Sequence, residues 1–357
     1  MAFTFVLGLA ALFQLVAVLM ALRLNTIYRR RYAWLFISGA GVLMTLWIGA
    51  GIVDTIQNPP GNIIWEPTLW VQTLATLLTA ILFFAGIATI EPLFKENEAA
   101  RALLASENAL LNREVQHSRE EMMLAQRVQA NLLPKCAPVV AGLDIAFLSR
   151  PAEWTSGDYF DFVQPDDDTL IVTVADVCGH GLGPALLMTT SRSYFRGIAR
   201  TRRQCQPIIN TWNNAIAEDV EAGDFMTALV VRLSIQDRQI EYLGAGQNGL
   251  LIHADGSFEE LERSGPPLGV IDNFEYPCPE PVALASGQIL VLCTDGIHET
   301  EGKNGKQFGT KRIADLISTH REMTAAEMVK RLDIEVRNFA IAPKAQDDLT
   351  AVIIKVS

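Results

Sequence analysis

The sequence predicts a three-part chain: three transmembrane helices over residues 1–90, a helical linker over 91–133, and an α+β layered domain over 134–357. Three observations lead there. Long uncharged runs crowd the N-terminal quarter. A stretch rich in Ala, Leu, Glu, Gln and Arg, without glycine, follows them. Beyond Pro134, short β-rich runs bounded by Gly, Asp and Asn are interspersed with helical stretches. At roughly 100–200 residues per domain, 357 residues allow about two domains. Half the residues are hydrophobic and 19% are charged, with a mean hydropathy of +0.21, which suits a mixed chain. A net charge of −11 argues against a broad basic face, so no nucleic-acid partner is expected. Cys136, Cys178, Cys205, Cys278 and Cys293 form no C-x-x-C pair, which speaks against a zinc ribbon or a disulfide framework.

Residues 2–22, 32–53 and 69–90 carry no charge, in runs of 21, 22 and 22 residues. Each, as a helix, covers roughly 30 Å, the thickness of a bilayer core. The first run lacks a basic start, which argues against a cleaved signal peptide. The basic residues of this region, Arg23, Arg29, Arg30 and Arg31, all lie between the first two runs. By the positive-inside tendency that loop is cytoplasmic, and the N-terminus and the loop holding Pro59-Pro60-Gly61 face outward. Trp34, Trp47, Trp65 and Trp70 suit interfacial anchors. The expected location is the cytoplasmic (inner) membrane, multi-pass, with the membrane as a partner. Residues 91–357 then carry about −13, an acidic cytoplasmic module.

In the linker, Leu104, Asn108, Leu111, Val115, Ser118, Met122, Ala125, Gln129 and Leu132 follow alternating four- and three-residue steps. That is a coiled-coil period with a poor seam, since Asn, Ser and Gln occupy inward positions. Two readings fit: a dimeric coil that makes the chain a homodimer, or an amphipathic helix packed on its own domain. Pro134 ends the helix.

In the last part, residues 170–175, 228–233, 240–243, 249–252, 289–293 and 351–356 read as strands, and 183–200, 207–222, 311–320 and 324–340 as helices. Their grouping suggests a largely antiparallel sheet. Acids recur at strand ends: Asp158 after Gly157, Asp176 after the run 170–175, Asp295 after 289–293, and Asp347-Asp348 before the last strand. An Asp at a strand end is commonly a turn former or cap. Several at one sheet edge repel one another unless cations neutralise them. Hard oxygen ligands favour Mg²⁺ or Mn²⁺, and two such ions can share and acidify a water for in-line attack on phosphorus.

Order adds to this. Ala125-Gln126, Gln129 and Leu132-Leu133-Pro134 precede Ser156-Gly157-Asp158-Tyr159-Phe160-Asp161-Phe162 and Asp176-Val177-Cys178-Gly179-His180-Gly181. Phe225-Met226-Thr227-Ala228, Gly244-Ala245-Gly246-Gln247-Asn248, Gly265-Pro266-Pro267-Leu268-Gly269, Thr294-Asp295-Gly296 and Asp347-Asp348-Leu349-Thr350 follow. This ordered set, over about residues 125–357, resembles the metal-dependent serine/threonine phosphatases of type 2C, in their bacterial SpoIIE/RsbU-like branch. The resemblance implies an α-β-β-α sandwich with two ions, Mn²⁺ or Mg²⁺, at one edge of the paired sheets. By motif, Asp158, Asp176, Asp295 and Asp347 are the catalytic and metal-binding acids, and the Val177 carbonyl adds a ligand. Asp348 matches the motif less well than Asp347. A metal-bound hydroxide is the implied nucleophile. The implied substrate is a protein phosphorylated on Ser or Thr, such as a STAS-domain anti-sigma-factor antagonist, with a dimerising linker as the switch.

Three positions depart from the family pattern. Ser156 stands where glycine is usual and strains the turn if a positive φ is required there. Gln247 replaces a usual His. His180 lies four residues after Asp176, a spacing that suits a structural hydrogen bond rather than a general acid. The alternative function is a weakly active or inactive membrane adaptor that binds phosphoproteins. No cysteine is followed by an Arg six residues on, as a cysteine-based phosphatase requires. No P-loop and no H-E-x-x-H motif occurs. A diguanylate cyclase leaves Asp295-Gly296 and Asp347-Asp348 unexplained.

Overall fold

The computed structural model describes residues 2–28, 31–57, 67–221, 223–303, 305–341 and 347–357. Arg29, Arg30 and the loop holding Pro59-Pro60-Gly61 and Trp65 lie outside the described residues. The chain divides into two compact units, Met1–Val115 and Gln116–Ser357.

The first unit contains α1 (Ala2–Tyr28), α2 (Arg31–Gln57) and the first part of α3 (Pro67–Leu132). Among the described residues, no helix is long and apolar enough to cross a membrane. The three transmembrane helices, their orientation, the membrane as partner and the multi-pass inner-membrane location are therefore corrected. The sequence criterion registered an absence of charge, which marks an apolar helix without saying what covers it. Here the helices cover part of their surface with one another. Ala10, Ile48 and Ala80 form a small core, and Ala17, Ala21, Gln14, Ser38 and Thr76 are also buried. A Cβ on Gly41 of α2 would lie 2.5 Å from the Val18 side chain of α1, so the two helices touch closely there. Leu43, Leu46, Trp47 and Leu82 stay exposed. The third run is no separate element, because α3 continues through Pro92 into the linker as one helix of 66 residues. Leu103, Leu104, Leu110, Leu111 and Val115 are exposed along it.

The second unit is a sandwich. One sheet has the order β1 (Leu143–Arg150), β10 (Leu349–Val356), β9 (Ile289–Cys293), β6 (Gly249–Ile252), β7 (Phe258–Leu261). The other has the order β2 (Asp158–Val163), β3 (Thr169–Val177), β4 (Met226–Ser234), β5 (Gln239–Ala245), β8 (Val282–Ala283). All neighbours pair antiparallel. The period of two sorts each strand between two cores. Leu170, Val172 and Val174 of β3 meet Leu290, Leu292, Val352 and Ile354 of the facing sheet. Ile171, Ala175 and Val177 turn the other way, onto α4 (Leu182–Ala199) and α5 (Cys205–Asp219), with Phe195 and Trp212 at the centre. Ala351 and Ile353 pack on α7 (Thr310–Thr319) and α8 (Ala325–Phe339). Strands covered on both faces read as unbroken apolar runs, which is why β3, β4, β9 and β10 stand out in sequence. The strands β1, β2 and β7 carry Asp144, Asp158, Asp161, Glu259 and Glu260, and no such run announces them.

Candidate active site

Counting by twos along the strands builds the site. Phe160 lies in the core between the sheets, so Asp158, two residues earlier on β2, faces the same side. Val172 and Val174 put Asp176 on that side too, and Asp158 and Asp176 are cross-strand partners in the β2–β3 ladder. From the opposite sheet, Leu290 and Leu292 lead to Thr294, and Ile354 and Val352 lead back to Thr350 and Asp348. Four loop-to-strand junctions thus deliver polar side chains to one edge of the sandwich. Asp295 begins the short helix α6 (Asp295–His298) directly after Thr294.

The hydrogen bonds fix this edge. Thr294 Oγ1 donates to Asp158 Oδ2 at 2.9 Å and accepts from Thr350 N at 3.2 Å. The Ser156 hydroxyl accepts from Asp158 N at 3.0 Å. Asp348 accepts from Ala152 N at 2.7 Å and Gly157 N at 2.9 Å. Asp347 is exposed, and its Oδ1 accepts from Asp348 N at 2.8 Å. Val177 N donates to Gly157 O at 3.3 Å. Gly157 has to be glycine: a Cβ there would lie 2.8 Å from Val177 O and 3.2 Å from Asp176 Oδ1. The Val177 carbonyl and the Asp176 carboxylate therefore border the same small space. After Cys178 the chain turns through Gly179 and Gly181, both at positive φ, into α4.

Electrostatics binds the acids into one cluster. Burial pushes the Asp158 carboxyl well above the usual range, and the neighbouring Asp176 and Asp348 add to this. Burial, then Asp295 and Asp347, raise Asp176 to about 8. Asp347, although exposed as a residue, is raised by partial desolvation of its carboxyl and by Asp295 and Asp348, while the Asp348 amide and then His180 oppose the shift. Thr350 lies near enough to Asp158 to lower its pKa, yet its fully buried hydroxyl has no aligned hydrogen-bond partner.

These features fit hard divalent cations. The donors are oxygens, the neighbouring acids raise one another's pKa, and a cradle at Gly157 excludes side chains. Among the described residues, no three His, Cys, Asp or Glu side chains are drawn together as a finished metal site. The fit is one of donor chemistry and charge rather than of closed coordination.

The departures find physical accounts. Ser156 is absent from the residues with positive φ, so it carries no turn strain. Gln247 donates through Nε2 to Cys293 O at 2.8 Å and accepts from Thr227 at 3.4 Å, joining the two sheets by hydrogen bonds alone. His180 is exposed beside Asp347. Sequence reasoning quoted Thr294 and Thr350 within the ordered segments but gave them no role, although counting along the strands from Leu290 and Val352 would have placed them at the site. It placed Gln129 both in a coil seam and in the family segment ending at Pro134, and left open a helix packed on its own domain. In the structure Gln129 is buried and grips Ser156 twice, through Nε2 to its O at 2.8 Å and through Oε1 from its N at 2.9 Å.

Comparison with known proteins follows the same lines. Residues 166–357, more than half of the chain, match the family model described as Stage II sporulation protein E (SpoIIE). The phosphoserine phosphatase RsbU of Bacillus subtilis is 28% identical over 245 residues, covering 67% of this chain and 71% of RsbU. The phosphoserine phosphatase RsbP of the same organism is 22% identical, covering 67% of this chain and 59% of RsbP. Among solved structures, the SiaA PP2C domain of Pseudomonas aeruginosa superposes with a TM-score of 0.61 at 22% identity, over 68% of this chain and 98% of that domain. The RsbU and RsbW domains of a Mycobacterium tuberculosis protein give a TM-score of 0.52 at 26% identity, over 61% of each chain. The chain belongs to the SpoIIE family, in its RsbU-like branch, and is a phosphatase of the PP2C type.

Proposed function

We propose that the chain removes phosphate from serine or threonine of a protein in a bacterial signalling pathway, with two Mn²⁺ or Mg²⁺ ions held by Asp158, Asp176, Asp295, Asp347 and the Val177 carbonyl. The observation that carries this reading is the acid cluster itself, with Asp176 raised to about 8 at one edge of the sandwich. A fold that gathers like charges without a counter-charge is costly, and divalent cations remove that cost. When bound, such ions acidify a water and polarise the phosphoryl group. The chain's own residues do the rest. Thr294 orients the Asp158 carboxylate. The ladder between β2 and β3 sets Asp158 against Asp176. Gly157 leaves the space between Val177 and Asp176 open.

The relatives named phosphoserine phosphatases support a phosphoprotein substrate, and a small STAS-domain protein is the proposed one. The exposed Leu104, Leu111 and Val115 of α3 support pairing of two chains through the linker as a homodimer. The test is hydrolysis of p-nitrophenyl phosphate and of a phosphoserine-bearing STAS protein by the full chain, with and without Mn²⁺. Asp176→Asn and Asp295→Asn should each abolish both activities with the fold retained. Full activity in either variant with metal present overturns the reading.

A further inference from the structure

The two acids of Asp347-Asp348 lie in different surroundings. Asp347 is exposed and has one hydrogen bond, from its neighbour's amide. Asp348 is 5% exposed, and each of its carboxylate oxygens accepts a buried or half-buried backbone N–H, Oδ1 from Ala152 and Oδ2 from Gly157. Those donors bracket the loop that ends at Asp158. Gly157 is held from its other side as well, because its carbonyl accepts from Val177 N. The Asp348 main chain also presses on Gly296, where no Cβ would fit. Asp348 thus meets the segment that carries Asp158 through its buried side chain and the segment that carries Asp295 through its main chain.

We propose that Asp348 is a positioning residue, not an ion ligand: its carboxylate fixes the loop from Ala152 to Gly157 so that Asp158 and the Val177 carbonyl face the same space. The inference rests on the metal-dependent reading above. Hydrogen bonds from neutral amides to a carboxylate are charge-assisted and roughly twice as strong as neutral ones, so the two contacts suffice to hold a short loop. Residues that orient ligands in this way typically alter metal affinity by roughly 10–100-fold when changed.

The experiment compares the full-length wild type with Asp348→Asn and Asp347→Asn, using Mn²⁺ as the probe. Asparagine keeps the shape but turns one oxygen into an NH₂ that faces a backbone N–H. Equilibrium dialysis should show Asp348→Asn binding as many Mn²⁺ ions at saturation as wild type, at roughly 10–100-fold higher free Mn²⁺. The amides of Ala152 and Gly157 should exchange hydrogen faster in the metal-free variant. Hydrolysis of p-nitrophenyl phosphate should recover to within a few-fold at saturating Mn²⁺, whereas Asp347→Asn should not recover. Loss of one bound ion in Asp348→Asn, or unchanged Mn²⁺ affinity with unchanged exchange, overturns the proposal. Should Asp348→Asn not fold, Asp348→Ser, which leaves room for a bridging water, is measured in the same way. If wild type binds no Mn²⁺, the metal reading fails and takes this inference with it. If wild type binds and hydrolyses but Asp348→Asn loses an ion, only the inference fails.

Discussion

Thr294 Oγ1 reaches across the sandwich to Asp158 Oδ2, 136 residues away in sequence, at 2.9 Å. Both side chains are buried, and the same hydroxyl accepts from Thr350 N. Replacing Thr294 by Val keeps the shape and removes both bonds. We expect a loss of about 1–3 kcal/mol in unfolding free energy, since Thr350 N and Asp158 are left short of partners. Activity should fall by about tenfold or more, because Asp158 loses its fixed orientation. Urea unfolding and initial rates at fixed Mn²⁺ check the pair of effects.

The raised pKa of Asp176 sets a pH dependence. An unfolded aspartate titrates near about 3.9, whereas in the fold the group titrates near 8. Between those values the folded state binds the extra proton, so stability falls as pH rises. The metal-free protein should therefore melt lower at pH 8 than at pH 5. Divalent cations take the proton's place, so Mn²⁺ binding at pH 7 should release protons. Calorimetric binding enthalpies that do not vary with buffer ionisation enthalpy would contradict this.

Gln129 joins α3 to the catalytic loop through both ends of its amide. Gln129→Leu leaves Ser156 N and O without those partners in a buried place. A destabilisation of about 1–3 kcal/mol is expected for the second unit, followed by denaturant unfolding. The rate at limiting Mn²⁺ should drop too, because Ser156 in turn holds Asp158 N.

On the outer side of β2, fully buried Asp161 accepts from Arg196 Nη1 at 2.6 and 2.8 Å and from the Tyr159 hydroxyl at 2.6 Å. This pair ties the strand of Asp158 to α4. Arg196→Ala strands a buried carboxylate, and we expect a loss of about 3–5 kcal/mol. Changing Asp161 to Asn in the Arg196→Ala background should recover part of that loss. A thermal-melt comparison of single and double variants decides it.

Much of the α+β domain could be read from residues alone. Strands with two covered faces appear as apolar runs, and glycines and acids at their ends mark the turns. The recurrence of Asp158, Asp176, Asp295 and Asp347 in family order is what the proposed site rests on in the sequence. The uncharged N-terminal runs misled, because a count of charges does not tell which helical faces meet one another. Ala10, Ile48 and Ala80 come from three distant segments. Likewise the 3.5-residue seam could not say that Gln129 turns onto its own domain.

By itself, then, the sequence determined the composition of the layers and which acids stand at strand ends, since both follow from local period and residue type. Tertiary structure decided the division of labour between adjacent residues. That Asp347 is exposed while Asp348 is buried and accepts from Gly157 depends on strand parity counted from Val352 and on which sheet lies opposite. Thr294 and Thr350 acquire their roles the same way. Gly157 and Asp348 are 191 residues apart and Asp158 and Thr294 are 136 apart, and no local pattern encodes a distance across a sandwich.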